Sequence, residues 1–197
     1  MRFTVANWLT VSRVPAMFVI VWLMNSERAW AATVAFWLFI AAALTDWFDG
    51  MVARARGEVS SFGRFMDAVI DKVMVIGLMI ALVVGNYFGG FEVAAMVLLL
   101  CILGREFLVS GMRMAAAVKG VTIEADTSGK VKTFVQLNAI GWLMGARMFG
   151  RDFGDLLPPI VIKVVHWGGL GLYILSAVLT ITSAISYFRR HGHVVLD

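Results

Sequence analysis

Apolar side chains fill six long stretches of the chain, at about residues 8–24, 29–45, 65–85, 93–114, 134–149 and 157–188. A helix that crosses a bilayer needs roughly 20 mostly apolar residues, and each stretch meets or approaches that length. The last is long enough to tilt or to project beyond the membrane. The breaks between the first and second stretches ("NSER"), the third and fourth ("NYFGGFE") and the fifth and sixth ("GRDFGDLLPP") are short and rich in Gly, Asn or Pro, as turns are. No linker, low-complexity tract or internal repeat interrupts the series. The pattern predicts an all-α integral membrane protein with six transmembrane helices, forming one domain over residues 1–197.

Composition agrees. With 60% hydrophobic and 15% charged residues and a mean hydropathy of +0.85, so much apolar surface cannot be hidden inside one small core. The opening segment carries Arg13 within its apolar run and no small-residue cleavage site follows, so the first helix is expected to be retained, not removed as a signal peptide. The single cysteine, Cys101, has no partner for an internal disulfide and no companion for redox or zinc chemistry. The net charge of +4 is no sign of nucleic acid, because membrane proteins carry excess Lys and Arg to fix their topology. If the N-terminus is cytoplasmic, only Arg28, Arg147, Arg151 and Lys163 of the 17 Lys and Arg fall on or near the outer side. That bias predicts that both termini are cytoplasmic.

One segment breaks the apolar pattern. "TDWFDGMVARARGEVSSFGRFMDAVIDK", residues 45–72, holds Asp46, Asp49, Asp67 and Asp71 together with Arg54, Arg56, Arg64 and Lys72. Asp46, Asp49, Gly50 and Ala53 are spaced i, i+3, i+4 and i+7, which is one face of a helix; Gly63, Asp67 and Asp71 recur every fourth residue, again one face. The connection "ARGEVSS" is short enough to make the two helices antiparallel neighbours. If the two faces meet, four carboxylates converge, and their repulsion demands protons or a bound cation. An all-carboxylate donor set suits Mg²⁺, Mn²⁺ or Ca²⁺ better than zinc or copper, and two such ions would balance four charges. A two-ion carboxylate site is a recurrent arrangement for displacement at phosphorus. The plainer alternative is a solvated helix end whose acids pair with Arg54, Arg56 or Arg64. It leaves the shared register of acids and glycines without a reason.

These residues fit the pattern D-x-x-D-G-x-x-A-R-x8-G-x3-D-x3-D at every fixed position, and the chain thereby resembles the CDP-alcohol phosphotransferases. The resemblance implies six transmembrane helices, usually in a homodimer, around a cavity open to the cytoplasm and the inner leaflet. It also implies two divalent ions, Mg²⁺ or Mn²⁺, held by Asp46, Asp49, Asp67 and Asp71. Gly50, Ala53, Arg54 and Gly63 would line the cytidine and phosphate side of a CDP-lipid. "GREFLVSGMRMAAAVKG" from Gly104, "SGKVKTFVQ" from Ser128 and the opening "ANWLTVSRVP" are similar to the bacterial members that use glycerol 3-phosphate as acceptor, although Ala6 stands where proline is usual. On that likeness Asn7 and Thr10 join the CDP-lipid site. The implied setting is the cytoplasmic membrane of a bacterium.

Glycerol 3-phosphate is a small dianion, and the planar fork of arginine suits its phosphate. Arg105 and Arg113 lie eight residues apart, roughly on one helix face. Arg105 sits in an apolar run, where an unpaired charge would cost ~2.5–3.5 kcal/mol. Glu106 is its sequence neighbour and points elsewhere on a helix, so a bound phosphate or a residue of another helix is the expected partner. Lys130 and Lys132, two apart, cannot both face a cavity; the resemblance favours Lys130, while Lys119, Lys130 and Lys132 could equally serve topology or anionic lipid.

The mechanism these readings imply starts with CDP-diacylglycerol entering from the bilayer. Asp71 then acts as general base on the glycerol 3-phosphate hydroxyl, which attacks the phosphatidyl phosphorus and expels CMP. Direct attack is favoured because no Ser, Cys or His nucleophile accompanies the aspartates. Within the same family the alternative is another acceptor: inositol phosphate, phosphatidylglycerol or serine. From a different class, a cation transporter could place an acidic cluster at a helix junction, but it has no use for the glycines or the arginine pair.

Overall fold

The structure, a computed structural model, describes the backbone of residues 5–56, 61–121 and 127–196, and the side chains of residues 11–45, 66, 69–121 and 131–190. Six helices account for it: α1 (Val5–Met24), α2 (Ala31–Arg56), α3 (Ser61–Val84), α4 (Glu92–Val118), α5 (Thr127–Asp152) and α6 (Pro159–Leu196). Each apolar stretch of the sequence falls on one of them, and no strand occurs among the described residues. The acidic segment is helical on both sides of its break, so the i, i+3 and i, i+4 spacings lie on continuous helices as expected.

Helix ends follow local chemistry. Gly120, at φ +77, takes the left-handed conformation that closes α4. Its N–H and that of Val121 donate back to the Ala117 and Ala116 carbonyls at 3.0 and 2.9 Å. The turn between α3 and α4 uses Asn86, Gly89 and Gly90 at positive φ. The tail "FRRHGHVVLD" reads as a frayed end, yet α6 runs on through Leu196, because no proline stops it and the lone Gly192 is a cost a helix tolerates.

α5 and α6 form the most extensive helix pair; α1 packs against both α2 and α3, α4 against α6, and α2 against α5. Ile20 of α1, Leu78, Met79 and Leu82 of α3, Ile140 and Leu143 of α5 and Tyr173 of α6 are buried together at the centre. A Cβ added at Gly169 of α6 would stand 2.9 Å from Leu143 Cγ and 3.1 Å from the Leu143 backbone nitrogen. Only glycine lets α6 come this close to α5, in the manner of membrane helix pairs.

The three loops at residues 25–30, 85–91 and 153–158 gather at one end of the bundle, where hydrogen bonds tie them together. Asp152 accepts from the Thr33 backbone N–H at 2.8 Å and the Thr33 hydroxyl at 2.6 Å. Arg151 donates to the Ser26 carbonyl at 2.7 Å and Arg147 to the Gly85 carbonyl at 3.1 Å. Tyr87 donates to the Met24 carbonyl at 3.2 Å, and burial pushes its phenol above the ordinary value against the opposing pull of Arg147 and Arg151.

The outer faces carry Trp22, Trp37, Leu100, Phe107, Phe134 and Trp167, all exposed. An exterior this apolar needs lipid as its solvent. α4 as a whole and α6 over Pro159–Arg190 are long and apolar enough to cross a membrane. Together these features are those of a membrane protein.

Candidate active site

At the end away from the loops lie the C-terminal part of α2 and the N-terminal part of α3. α2 carries Asp46, Asp49, Gly50, Ala53 and Arg54; α3 carries Gly63, Asp67 and Asp71. The side chains of Asp46, Asp49, Arg54 and Asp67 lie outside the described residues, as do those of Asn7 and Thr10 on α1 and Lys130 on α5. Asp71 is described. Its Oδ1 lies 3.3 Å from Arg13 Nη1, with the Arg13 side chain only 3% exposed and that of Asp71 37% exposed. α1, packed against both α2 and α3, thus delivers a buried guanidinium to the accessible fourth carboxylate of the series.

Among the described residues no three His, Cys, Asp or Glu side chains come together as metal ligands. The donor set nevertheless fits a hard divalent cation. It consists of carboxylates alone, on two continuous helices, and its one described member is open enough to accept a ligand.

A second group of candidate residues lies on α4. Arg105 is nearly buried; its Nη1 donates to Glu106 Oε1 at 2.9 Å and its Nη2 to the Ser183 hydroxyl of α6 at 3.0 Å. Its Nε is buried with no hydrogen-bond partner among the described residues. The expectation that Glu106 points away from Arg105 is therefore wrong: adjacent Cβ atoms diverge by about 100° on a helix, but the long arginine side chain bends back to its neighbour. Lys132 of α5, also buried, donates to the same Glu106 oxygen. Lys72 of α3 lies 3.6 Å from Glu106 Oε2 and donates to the Ser110 hydroxyl at 2.6 Å.

Arg113 is exposed, two turns beyond Arg105 and about 12 Å further along the helix. The two arginines thus differ in setting, one locked and one at the surface. Sequence reasoning named neither Arg13 as the partner of Asp71 nor Glu106 as the partner of Arg105, and it set Lys132 behind Lys130. For Arg13 the signal was present, since a cation inside an apolar helix raises the same question as Arg105 does. His166 bonds the Tyr87 carbonyl at the loop end, so it does not belong to this region.

The chain matches the CDP-alcohol phosphatidyltransferase family over residues 3–185. It is 34% identical over 183 residues to the CDP-diacylglycerol–glycerol-3-phosphate 3-phosphatidyltransferase of Rickettsia typhi, covering 93% of this chain and 94% of that protein. A protein of the same name from Salmonella typhimurium is 33% identical over 199 residues and matches along the whole of both chains. An Arabidopsis thaliana protein, the second enzyme of that name, is 35% identical over 201 residues, covering 98% of this chain and 82% of that one. With a family match that runs from α1 into α6 and includes the acidic segment, this chain belongs to the CDP-alcohol phosphatidyltransferase family.

Proposed function

We propose that this chain transfers the phosphatidyl group from CDP-diacylglycerol to sn-glycerol 3-phosphate, giving phosphatidylglycerophosphate and CMP in phospholipid synthesis. The observation that carries the reading is the match, along nearly the whole chain, to relatives named for that reaction. The cationic cluster around Arg105 supports the choice of a phosphorylated acceptor.

In this reading Asp46, Asp49, Asp67 and Asp71 hold two divalent ions, Mg²⁺ or Mn²⁺. When bound, such ions neutralise the pyrophosphate and stabilise charge on the leaving CMP. Asn7, Thr10, Gly50, Ala53, Arg54 and Gly63 line the CDP-lipid site, the missing side chains of the glycines leaving room against the helix backbones. Arg105 and Arg113 bind the acceptor phosphate, with Lys132, whose ammonium meets Glu106 beside Arg105, taking the part that the resemblance gives Lys130. Asp71, oriented by Arg13, takes the proton of the acceptor hydroxyl; the freed oxygen bonds to the phosphatidyl phosphorus and CMP leaves with the bonding pair. A carboxylate is a weak base, so positioning and charge neutralisation carry most of the acceleration.

The proposed setting is the cytoplasmic membrane of a bacterium. One multi-pass domain of six transmembrane helices has both termini and the active site facing the cytoplasm, and it pairs as a homodimer. The bias of Lys and Arg to one end supports that orientation.

The test is CMP release by the purified protein in detergent with Mg²⁺ or Mn²⁺, offering glycerol 3-phosphate, inositol phosphate, serine or phosphatidylglycerol separately. Release with glycerol 3-phosphate alone, abolished by EDTA and restored by excess Mg²⁺ or Mn²⁺, is the expected result. Release only with another acceptor would keep the reaction class and overturn the acceptor. Ion flux into sealed proteoliposomes without CDP-lipid, and no CMP from any acceptor, would favour a transporter.

A further inference from the structure

The carboxylate of Glu106 is the meeting point of three helices. Its Oε1 accepts from Arg105 Nη1 of α4 and Lys132 Nζ of α5, and its Oε2 faces Lys72 Nζ of α3. Through Arg105 it also reaches Ser183 of α6. Glu106 and Lys132 are 12% and 5% exposed, so these charges interact with little screening by water. Among the described residues, one acid and three cations give the cluster a formal charge of +2, with Lys72, 44% exposed, as its solvent-facing member. That excess equals the charge of a phosphate monoester dianion. Arg105, whose buried Nε has no hydrogen-bond partner among the described residues, also keeps a donor for a further oxygen.

We propose that Glu106 is the positioning residue of the acceptor site. It fixes Arg105 and Lys132 as a preformed cradle for the acceptor phosphate. Through Lys72, the sequence neighbour of Asp71, it also holds that cradle in register with the helix that supplies the general base. The inference rests on the proposed reaction and extends it, because the signature aspartates and the arginines do not by themselves say what sets the distance between the two half-sites. Glu106 does not touch the reacting atoms. It acts by holding the cations that would otherwise repel one another and swing apart.

Steady-state kinetics of Glu106→Gln and Glu106→Asp, with each substrate varied in turn, test this, together with calorimetric binding of glycerol 3-phosphate to wild type and both variants. Glu106→Gln is expected to raise KM for glycerol 3-phosphate by on the order of tenfold or more, with KM for CDP-diacylglycerol within about twofold of wild type. Glu106→Asp keeps the charge, and with it the folded state, and is expected to fall between the two. A purely structural Glu106 would instead lower yield and melting temperature while leaving the acceptor KM of the folded fraction unchanged, and that result in both variants would overturn the proposal. Failure of the reaction itself reads differently. If wild type binds glycerol 3-phosphate without releasing CMP, and Glu106→Gln loses that binding, the positioning role stands and the assigned reaction falls. If wild type does not bind glycerol 3-phosphate at all, the positioning role falls with the acceptor.

Discussion

Both ends of the bundle gather arginines, but they satisfy them in opposite ways. At the loop end Arg147 and Arg151 donate to backbone carbonyls of Gly85 and Ser26, and Asp152 is used up by two donors of Thr33. These three charges hold chain segments together. At the acidic end Arg13 meets Asp71, and Arg105, Lys132 and Lys72 crowd around the single carboxylate of Glu106. There the side chains face each other, cations outnumber the acid they share, and the imbalance can be relieved by an anionic ligand. The difference teaches that an arginine marks structure when its partners are fixed carbonyls, and a binding site when its partners are other charged side chains that do not cancel.

Substitutions at the two ends should therefore separate activity from stability. The largest effect is expected at Asp71: Asp71→Asn lowers turnover by about 10²–10⁴-fold, the usual contribution of a general base, while the purified protein keeps its melting temperature within a few degrees. Wild-type turnover in that variant would remove Asp71 from the chemistry. At the other end Asp152→Ala, which leaves the Thr33 donors without their acceptor, is expected to cost about 1.5–3 kcal/mol of stability and to leave kcat per folded molecule unchanged. A loss of turnover without a loss of stability would break the contrast. The smallest effect is expected at Glu27→Ala. Glu27 is almost fully exposed and 3.5 Å from Arg151, and such a surface pair is screened by water, so neither melting temperature nor activity should move measurably.

The six helices are legible in the sequence because bilayer thickness dictates the length of an apolar run, and the acidic segment is legible because four acids hold helical register over residues 46–71. Arg105 is legible as a charge in an apolar stretch that must have a partner. The identity of that partner is not. Glu106 looks excluded by helical divergence from its neighbour, and only the reach of the side chain overturns that. Lys132 is 26 positions from Glu106 and Arg13 is 58 from Asp71, and no local spacing rule connects residues that meet only when separate helices pack. The continuation of α6 to Leu196 escapes for a different reason, since the polar run from Arg189 to His193, with one glycine in it, interrupts the apolar pattern that announces a helix.

The central claim is that this end of the molecule joins a phosphatidyl group to glycerol 3-phosphate. It is tested most directly by supplying purified protein with CDP-diacylglycerol, Mg²⁺ and glycerol 3-phosphate labelled in its phosphate, then measuring label in the extracted lipid alongside CMP in the aqueous phase. The expected result is label entering lipid in equal amount to the CMP released, with neither formed by Asp71→Asn. CMP released without label in the lipid would mean that water or another molecule is the acceptor, and would contradict the account.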